Sequence, residues 1–293
     1  MTLKHINILL LTIVASGLIA CSATPTRLTQ KMEIGEKKGD AQPLMDEAAK
    51  LWKERGERSK ADAAIAKWEE AAKVDPTRAD VQLKLAYAYY FLVNVHIQWN
   101  EESKDQQSAT FKKGIEAGEL AIFLQNPEFK QKLESGSKWS DAVNVVPKEK
   151  INSLYWYATN LGKWSLLQGI TTTLGNKDRI KSTMEHVLSL DETFFYGAPH
   201  RYFGVYEAKI PAGSVKKSGE HFRKAIEISK EYLDTQVLYA QYYAGKMQDE
   251  ELFEKVLNDV LKADVKAIPE LEIENRNAQR MAKKLLDNKD DIF

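Results

Sequence analysis

The sequence predicts an all-α protein in which helix pairs stack one on the next. From about Leu44 almost to the C-terminus, apolar residues recur three and four positions apart, which is the spacing of one face of an α-helix. The 293 residues include only 15 glycines and 8 prolines. These two types average roughly 12% of residues in proteins, so their scarcity favours long helices with few tight turns. Neither an Asn-Gly turn nor a sustained alternation of apolar and polar residues indicates a strand.

The first 20 residues have the composition of a cleaved export signal. Lys4 and His5 precede an apolar run over residues 6–19, which is shorter than the roughly 20 residues needed to cross a bilayer as a helix. Leu18 and Ile19 close the run, and Ala20 and Cys21 follow, an order typical of lipoprotein signals. We therefore interpret residues 1–20 as a lipoprotein signal peptide. A simple secretory signal followed by a coincidental cysteine is the alternative.

Cys21 is the only cysteine of the chain, so it has no disulfide partner within it. We predict lipidation of Cys21, with a diacylglycerol on the sulfur and a fatty acid such as palmitate on the new amino group, because several acyl chains anchor a protein stably where one does not. The polar residues 21–43 would form a lipidated tether. In bacterial lipoproteins an Asp after the cysteine often retains the protein at the inner membrane. Ser22 therefore favours the periplasmic face of the outer membrane over the inner one.

The first helices of the chain show a repeat-like spacing. Ala64, Trp68, Ala71 and Pro76 follow one another at intervals of four, three and five residues, and Leu51 precedes Ala64 by thirteen. This order of small, aromatic and small residues before a proline is that of the second helix of a tetratricopeptide repeat, with Leu51 at the leucine position of the first helix. The small residues allow the two helices to approach closely, and the aromatic ring fills the space toward the next pair.

Four further helix pairs match this spacing approximately. An insertion of about 16 residues separates the two helices of the second pair, so its first helix is expected to run on toward Trp99. The third pair is expected over residues 151–190. In chain order, the residues at the repeat positions of the second to fifth pairs are Leu85, Ala86, Tyr89, Gly114, Gly118, Ala121, Ile180, Met184, Val187, Phe203, Gly204, Ser218, Phe222, Ala225, Tyr239, Ala240, Tyr243, Phe253, Leu257 and Val260.

A more polar helix over residues 270–287 is expected to close the stack, because the last repeat of such an array needs a polar outer face. The sequence thus predicts a tetratricopeptide-like α-solenoid of about five helix pairs with a C-terminal capping helix. This helical domain would span residues 44–293. A generic helical bundle is the alternative.

The composition argues against several functional classes. Basic and acidic residues number 42 each, and Lys4 is the only charged residue of the signal, so the mature chain would have 41 against 42. Without a basic excess, we expect no binding to nucleic acid. No two histidines of the mature chain stand at metal-ligand spacing, and no nucleophile or phosphate-loop motif occurs. We expect no metal, no cofactor and no enzymatic activity. For His200 we expect a structural or surface role, with a catalytic role as the alternative.

One candidate ligand-lining surface lies in the aromatic segment 154–164. Trp156, Asn160 and Trp164 share one helical face of this segment, and Leu154 belongs to a second apolar face. A helix that is apolar on two faces is either buried all round or lines a cavity, and both interpretations stay open. A buried Asn160 must find a hydrogen-bond partner, either a neighbouring backbone group or the polar head of a ligand.

A second candidate surface lies in residues 194–206. The Gly-Ala-Pro sequence ending at Pro199 interrupts the helical pattern. Because proline is favoured in the first turn of a helix, the next helix is expected to begin near Pro199. Arg201 and Tyr202 fall in that first turn among aromatic residues. They either fill a corner between helices or form a rim with one cation for an acidic group of a ligand.

These segments resemble the T-component family of TRAP (tripartite ATP-independent periplasmic) transporters. The resemblance extends over about residues 45–290. Where family members often have a second glycine and an aromatic residue around the proline, this chain has Ala198 and His200. The matching stretches are residues 155–164, 196–204, 209–211 and 275–279.

The resemblance implies a periplasmic lipoprotein that forms a ring-like homotrimer and binds the transporter's solute-binding protein. It also implies a cleft for apolar or amphipathic small molecules, and it supplies no catalytic residue. We therefore expect a non-enzymatic, membrane-anchored adaptor. A stand-alone carrier of hydrophobic ligands and a scaffold for envelope assembly are the alternatives. Our own ligand-lining candidates are Trp156, Asn160, Trp164, Arg201 and Tyr202.

Overall fold

A computed structural model describes residues 34–100 and 103–293. Every regular element in these residues is a helix, which confirms the predicted all-α class. The predicted signal peptide, Cys21, Ser22 and the first part of the tether lie outside the described residues. The cleavage and lipidation of this segment therefore stay predictions.

The helices follow one another with short connections. Two segments of π-helix, Leu92–His96 and Tyr239–Ala244, directly follow α-helices that end at Phe91 and Leu238. Short 3₁₀ turns occur at Ile97–Trp99, Val143–Val145, Lys148–Lys150, Pro269–Leu271 and Lys289–Asp291. The α-helices are α1 (Gln42–Trp52), α2 (Arg58–Val74), α3 (Ala79–Phe91), α4 (Lys104–Gln125), α5 (Pro127–Glu134), α6 (Trp139–Ala142), α7 (Ile151–Gln168), α8 (Ile170–Leu190), α9 (Phe194–Lys209), α10 (Val215–Ile228), α11 (Leu233–Leu238), α12 (Gly245–Met247), α13 (Glu250–Lys262) and α14 (Glu272–Asp287).

The helices pack in consecutive pairs, and neighbouring pairs pack on each other. The most extensive contacts within pairs join α1 to α2, α3 to α4, α7 to α8 and α9 to α10. Between pairs, α4 packs on α7 and α8 packs on α9. Most residues at the predicted repeat positions are buried, among them Ala64, Trp68, Ala86, Ala121, Met184, Phe222 and Leu257, whereas Leu51, Pro76 and Tyr243 are partly exposed.

The predicted insertion within the second pair is part helix and part turn. After Phe91 the chain continues as the π-helix Leu92–His96 and the 3₁₀ turn Ile97–Trp99, so the helix does extend toward Trp99 as expected, with altered geometry. The two short helices α5 and α6 between the second and third pairs are not predicted by the repeat spacing. They contribute the buried ring of Trp139, which stacks on Tyr157 with ring centroids 4.8 Å apart.

Candidate functional site

A cavity of about 350 Å³ lies between the helix pairs, within the roughly 300–1,000 Å³ range of small-molecule sites. Its walls come from α3, α7, α9 and α11 and from both π-helical segments, and α14 closes one side. We call this space the central cavity. Its lining includes Tyr90, Trp156, Lys163, Tyr202, Tyr242 and Met281.

Aromatic rings form most of one wall of the central cavity, with Trp156 at their centre. Its ring centroid lies 4.5 Å from that of Tyr87, 5.4 Å from that of Tyr90 and 5.1 Å from that of Phe195. Such separations are those of favourable aromatic pairs. Burial raises the pKa of the Tyr90 phenol well above its usual value, so the ring stays neutral. The wall therefore offers apolar, uncharged surface.

Both π-helical segments supply residues to the cavity. Asn94 and Val95 come from the first segment, and Gln241 and Tyr242 come from the second. A π-helix carries an extra residue in its turn, which changes the direction of the side chains, and such segments occur often at functional sites. In this chain they turn side chains of two otherwise packed helices toward one shared space.

The C-terminal helix α14 contacts residues of the first and second helix pairs and of the segment that follows α3. Glu274 lies 3.0 Å from the guanidinium of Arg55 and accepts a 2.6 Å hydrogen bond from the hydroxyl of Tyr87. The indole of Trp99 donates to the side-chain oxygen of Asn277 over 3.0 Å. The predicted capping helix therefore does not only end the array. It also lines the cavity and contacts the first and second helix pairs.

Arg201 stabilises an unusual turn beside the cavity. Phe195, Tyr196 and Gly197 have φ values of 41°, 60° and 75°, in the left-handed region that non-glycine residues rarely adopt. The Arg201 guanidinium donates to the carbonyl of Phe195 over 3.1 Å and to that of Tyr196 over 2.7 Å. It also stacks 4.2 Å from the ring centre of Tyr232. Two of its hydrogen bonds therefore stabilise the left-handed turn that precedes Pro199.

The structure brings three of the five sequence-predicted candidates to the central cavity. Trp156, Arg201 and Tyr202 line it, whereas Asn160 and Trp164 do not. Burial raises the pKa of the Tyr202 hydroxyl, so this group faces the cavity uncharged. A role in ligand binding stays a prediction for these three residues.

Asn160 and Trp164 face the second helix pair instead. The Asn160 amide nitrogen donates to the carbonyls of Ala86 over 3.0 Å and Trp156 over 2.7 Å, so protein backbone supplies the partners of this nitrogen. Its Oδ1 is buried without a hydrogen-bond partner among the described residues. The Trp164 indole donates to the hydroxyl of Ser108 on α4 over 3.1 Å. Because both side chains project toward α3 and α4, the helical face predicted from Trp156, Asn160 and Trp164 is split between the cavity and the interface.

Besides Trp156, the cavity face of α7 includes residues that the sequence analysis did not select. Thr159, Gly162, Lys163 and Leu166 line the cavity together with Tyr155. Their spacing of four, three, one and three residues is that of one helical face, which is the signal that could have identified them. A methyl group added at Gly162 would meet no atom within 4 Å, so this glycine leaves room in the cavity.

His200 lies outside the cavity lining, on the side of α9 that faces α10. Its Nδ1 lies 2.9 Å from Nδ1 of His221, and its Nε2 lies 3.2 Å from the carboxylate of Glu192. In residues 34–100 and 103–293, no group of three His, Asp or Glu side chains is arranged to hold a metal ion.

Comparison with protein families decides which proteins this chain is related to. A family model described as the TRAP transporter T-component matches residues 64–293. The chain belongs to this family. The match confirms the resemblance and identifies the protein as a component of a TRAP transport system, which indicates a bacterial envelope protein. A comparison of this T-component with curated proteins finds no match. Among the helices that the structure describes, none is both long and apolar enough to span a membrane.

Proposed function

We propose that this T-component is a periplasmic adaptor that binds the solute-binding protein of its transporter and takes an apolar or amphipathic small molecule into the central cavity. The observation that supports the ligand is the cavity itself, which has an aromatic wall around Trp156 and open space at Gly162. Cavities of this kind, mostly apolar with a few polar groups, are typical of small-molecule sites.

An exposed apolar patch supports the contact with a partner protein. Leu166, Ile170 and Leu174, at the corner between α7 and α8, are 43%, 61% and 46% exposed. These residues are spaced four apart in the sequence, and exposed apolar patches are found at protein interaction sites. Leu166 also lines the central cavity, so the patch adjoins the mouth of the proposed ligand site. A partner bound there would be placed to receive or deliver the ligand.

Affinity capture tests the partner. The detergent-extracted mature protein, immobilised and exposed to periplasmic extract, is expected to retain a solute-binding protein identified by mass spectrometry. Replacing both Ile170 and Leu174 with Lys is expected to reduce its recovery at least tenfold. Leu261→Lys, at an exposed leucine of α13 away from the patch, is the matched control. Recovery of no solute-binding protein by the unmodified chain would contradict the adaptor role, and equal recovery by the double variant would contradict the patch.

Native mass spectrometry tests the ligand site. After gentle extraction the unmodified chain is expected to retain a co-purifying small molecule, and Gly162→Phe is expected to lose it because the new ring occupies the cavity. Gly175→Phe is the control, since Gly175 of α8 also has open space around it but does not line the cavity. A retained ligand without any solute-binding partner would favour the stand-alone carrier.

The membrane anchor and the oligomer complete the proposal. We infer that Cys21 is acylated, that the chain faces the periplasm, with the outer membrane favoured, and that three copies assemble into a homotrimer, as the resemblance implies. Labelling cells with palmitate is expected to mark the unmodified chain and to leave Cys21→Ser unmarked. Light scattering of the purified lipoprotein measures the number of copies, and a monomer would contradict the trimer.

A further inference from the structure

The charged side chains around the central cavity differ in how well they are satisfied. Glu274 is paired with Arg55 and Tyr87, and Arg201 donates to backbone carbonyls. Lys163 of α7, by contrast, makes no hydrogen bond and no ion pair within 4.0 Å in the described part of the chain. A partly buried ammonium without a direct partner is costly, because burial removes water that would otherwise solvate it.

A second unsatisfied donor lies one helical turn before Lys163. The hydroxyl of Thr159 is buried and has no hydrogen-bond partner among the described residues, and Thr159 also lines the cavity. Residues four apart lie on the same face of a helix, so the hydroxyl and the ammonium belong to one surface of α7. Buried polar groups in proteins nearly always have partners, so two such donors at one cavity indicate a place for an acceptor.

The charges near Lys163 are predominantly positive. Burial lowers the pKa of the Lys163 ammonium, and the charge of Asp234 across the cavity acts in the opposite direction. Burial also lowers the pKa of Lys209, and the nearby charge of Lys163 lowers it further. Arg201 lines the cavity and is a third cation in this region. The charge of Asp234 acts on Lys163 and Arg201, and Lys209 adds a positive charge near Lys163, so one further negative charge would be attracted to the site.

We propose that the ligand of the central cavity is a small amphipathic organic anion. Its acidic group accepts hydrogen bonds from the ammonium of Lys163 and the hydroxyl of Thr159, and its apolar body lies against the aromatic wall around Trp156. This inference rests on the proposed function, because it gives the chemical class of the small molecule for which the cavity is proposed as the site. Gly162, which lies between the two donors on the same helix, leaves the space that the bound molecule occupies.

Two dyes with nearly the same ring system separate the acidic group from the apolar body. 1-Anilinonaphthalene-8-sulfonate is an anion, and N-phenyl-1-naphthylamine is the neutral compound without the sulfonate. Their binding to the detergent-extracted mature protein is measured by quenching of tryptophan fluorescence, with the cavity-filled Gly162→Phe variant subtracted as background. The unmodified chain is expected to bind the sulfonate at least tenfold more tightly than the neutral dye.

Replacement of the lysine tests its role directly. Lys163→Gln is expected to weaken binding of the sulfonate about tenfold and to leave the neutral dye unchanged, since a hydrogen bond to a charged group is lost. Lys163→Arg, which keeps the charge, is expected to restore at least part of the sulfonate binding, and this rescue separates charge from any effect on folding. Lys216→Gln, at an exposed lysine of α10 outside the cavity, is expected to change neither dye.

The outcomes distinguish this inference from the proposed function. Equal weakening of both dyes by Lys163→Gln, or no weakening of either, would overturn the role of Lys163 in binding an anion while leaving a ligand cavity in place. If Gly162→Phe binds both dyes as well as the unmodified chain does, the cavity is not a binding site, and the proposed ligand function fails together with the inference.

Discussion

Helix α7 meets the molecule differently on its two sides, and glycines show the difference. Toward α4 the contact is tight, because a methyl group added at Gly118 would lie 2.8 Å from Cα of Tyr157, and one at Gly114 would lie 2.2 Å from Oδ1 of Asn160. Toward the central cavity, a methyl group at Gly162 would meet nothing within 4 Å. The same residue type thus permits close helix packing on one side and preserves empty space on the other.

Helix α9 repeats this division. On its packed side, a methyl group at Gly204 would lie 2.8 Å from the ring of Phe222 on α10, and His200 contacts His221. On its other side, Arg201 and Tyr202 line the cavity. Each of the two helices therefore has one face that packs tightly against a neighbouring helix and one face that lines the cavity. Substitutions on each face test whether stability and ligand binding depend on different residues.

The largest effect is expected at the tight contact between α4 and α7. Gly118→Ala should lower the free energy of unfolding by about 3 kcal/mol, because the added carbon meets the backbone of Tyr157, which cannot move aside without shifting the helix. Urea denaturation followed by circular dichroism measures the change. A stability equal to that of the unmodified chain would show that the interface is looser than the distances indicate.

Loss of the Asn160 side chain is expected to be the next largest effect. Asn160→Ala removes the donors to Ala86 and Trp156 and leaves a small void, so the free energy of unfolding should fall by about 2 kcal/mol. Binding of the neutral dye should stay within twofold of the unmodified chain, since Asn160 does not line the cavity. A stable variant that had lost dye binding would place this residue in the site after all.

A smaller effect is expected on acidification. Burial lowers the pKa of His221 and of His96 below the usual value of about 6.5, and the neighbouring His200 lowers that of His221 further. Below about pH 6.5 the unfolded chain therefore binds protons that the folded chain does not, so the free energy of unfolding should fall as the pH is lowered from 7 toward 5.

Thermal unfolding at several pH values measures this dependence. His221→Gln should reduce the slope between pH 7 and 5, because one of the two histidines no longer titrates. Binding of the neutral and the sulfonate dye at pH 7 should not change, since His221 is outside the cavity lining. An unchanged slope in the variant would assign the pH dependence to other groups.

The smallest effect is expected at the open face. Gly162→Ala should raise the free energy of unfolding by about 0.5–1 kcal/mol, because alanine is the better helix former and its methyl group meets no atom. Gly175→Ala on α8 should give a similar gain. If Gly162→Ala were destabilising while Gly175→Ala was not, the cavity would be narrower than the structure shows.

The all-α class and the packing of consecutive helices in pairs could be predicted from the sequence. Residues such as Ala64, Trp68 and Phe222 stand at fixed spacings because those positions face the neighbouring helices. They are buried as expected. The spacing says less about the irregular parts. The π-helix Leu92–His96 and the short helices α5 and α6 do not follow the repeat, so their positions depend on tertiary packing.

The cavity was harder to predict for a physical reason. Trp156 and Asn160 lie one turn apart on the same helix. The sequence does not tell which of the two side chains faces α4 and which faces the cavity. That choice depends on residues distant in the chain, because α14 closes the cavity through contacts such as Tyr87 with Glu274. Thr159 and Lys163 stand in the same segment but lack the aromatic side chains from which the ligand-lining surface was predicted.

The contacts of α14 have a consequence for the way the molecule unfolds. A linear array whose repeats touch only their neighbours can fray from either end, and its terminal units melt first. Among the described residues, Glu274 of α14 pairs with Arg55, which lies between α1 and α2, so the first helix pair and the last long helix stabilise each other. Loss of α14 is therefore expected to make unfolding less cooperative, because these two ends of the array would no longer be linked.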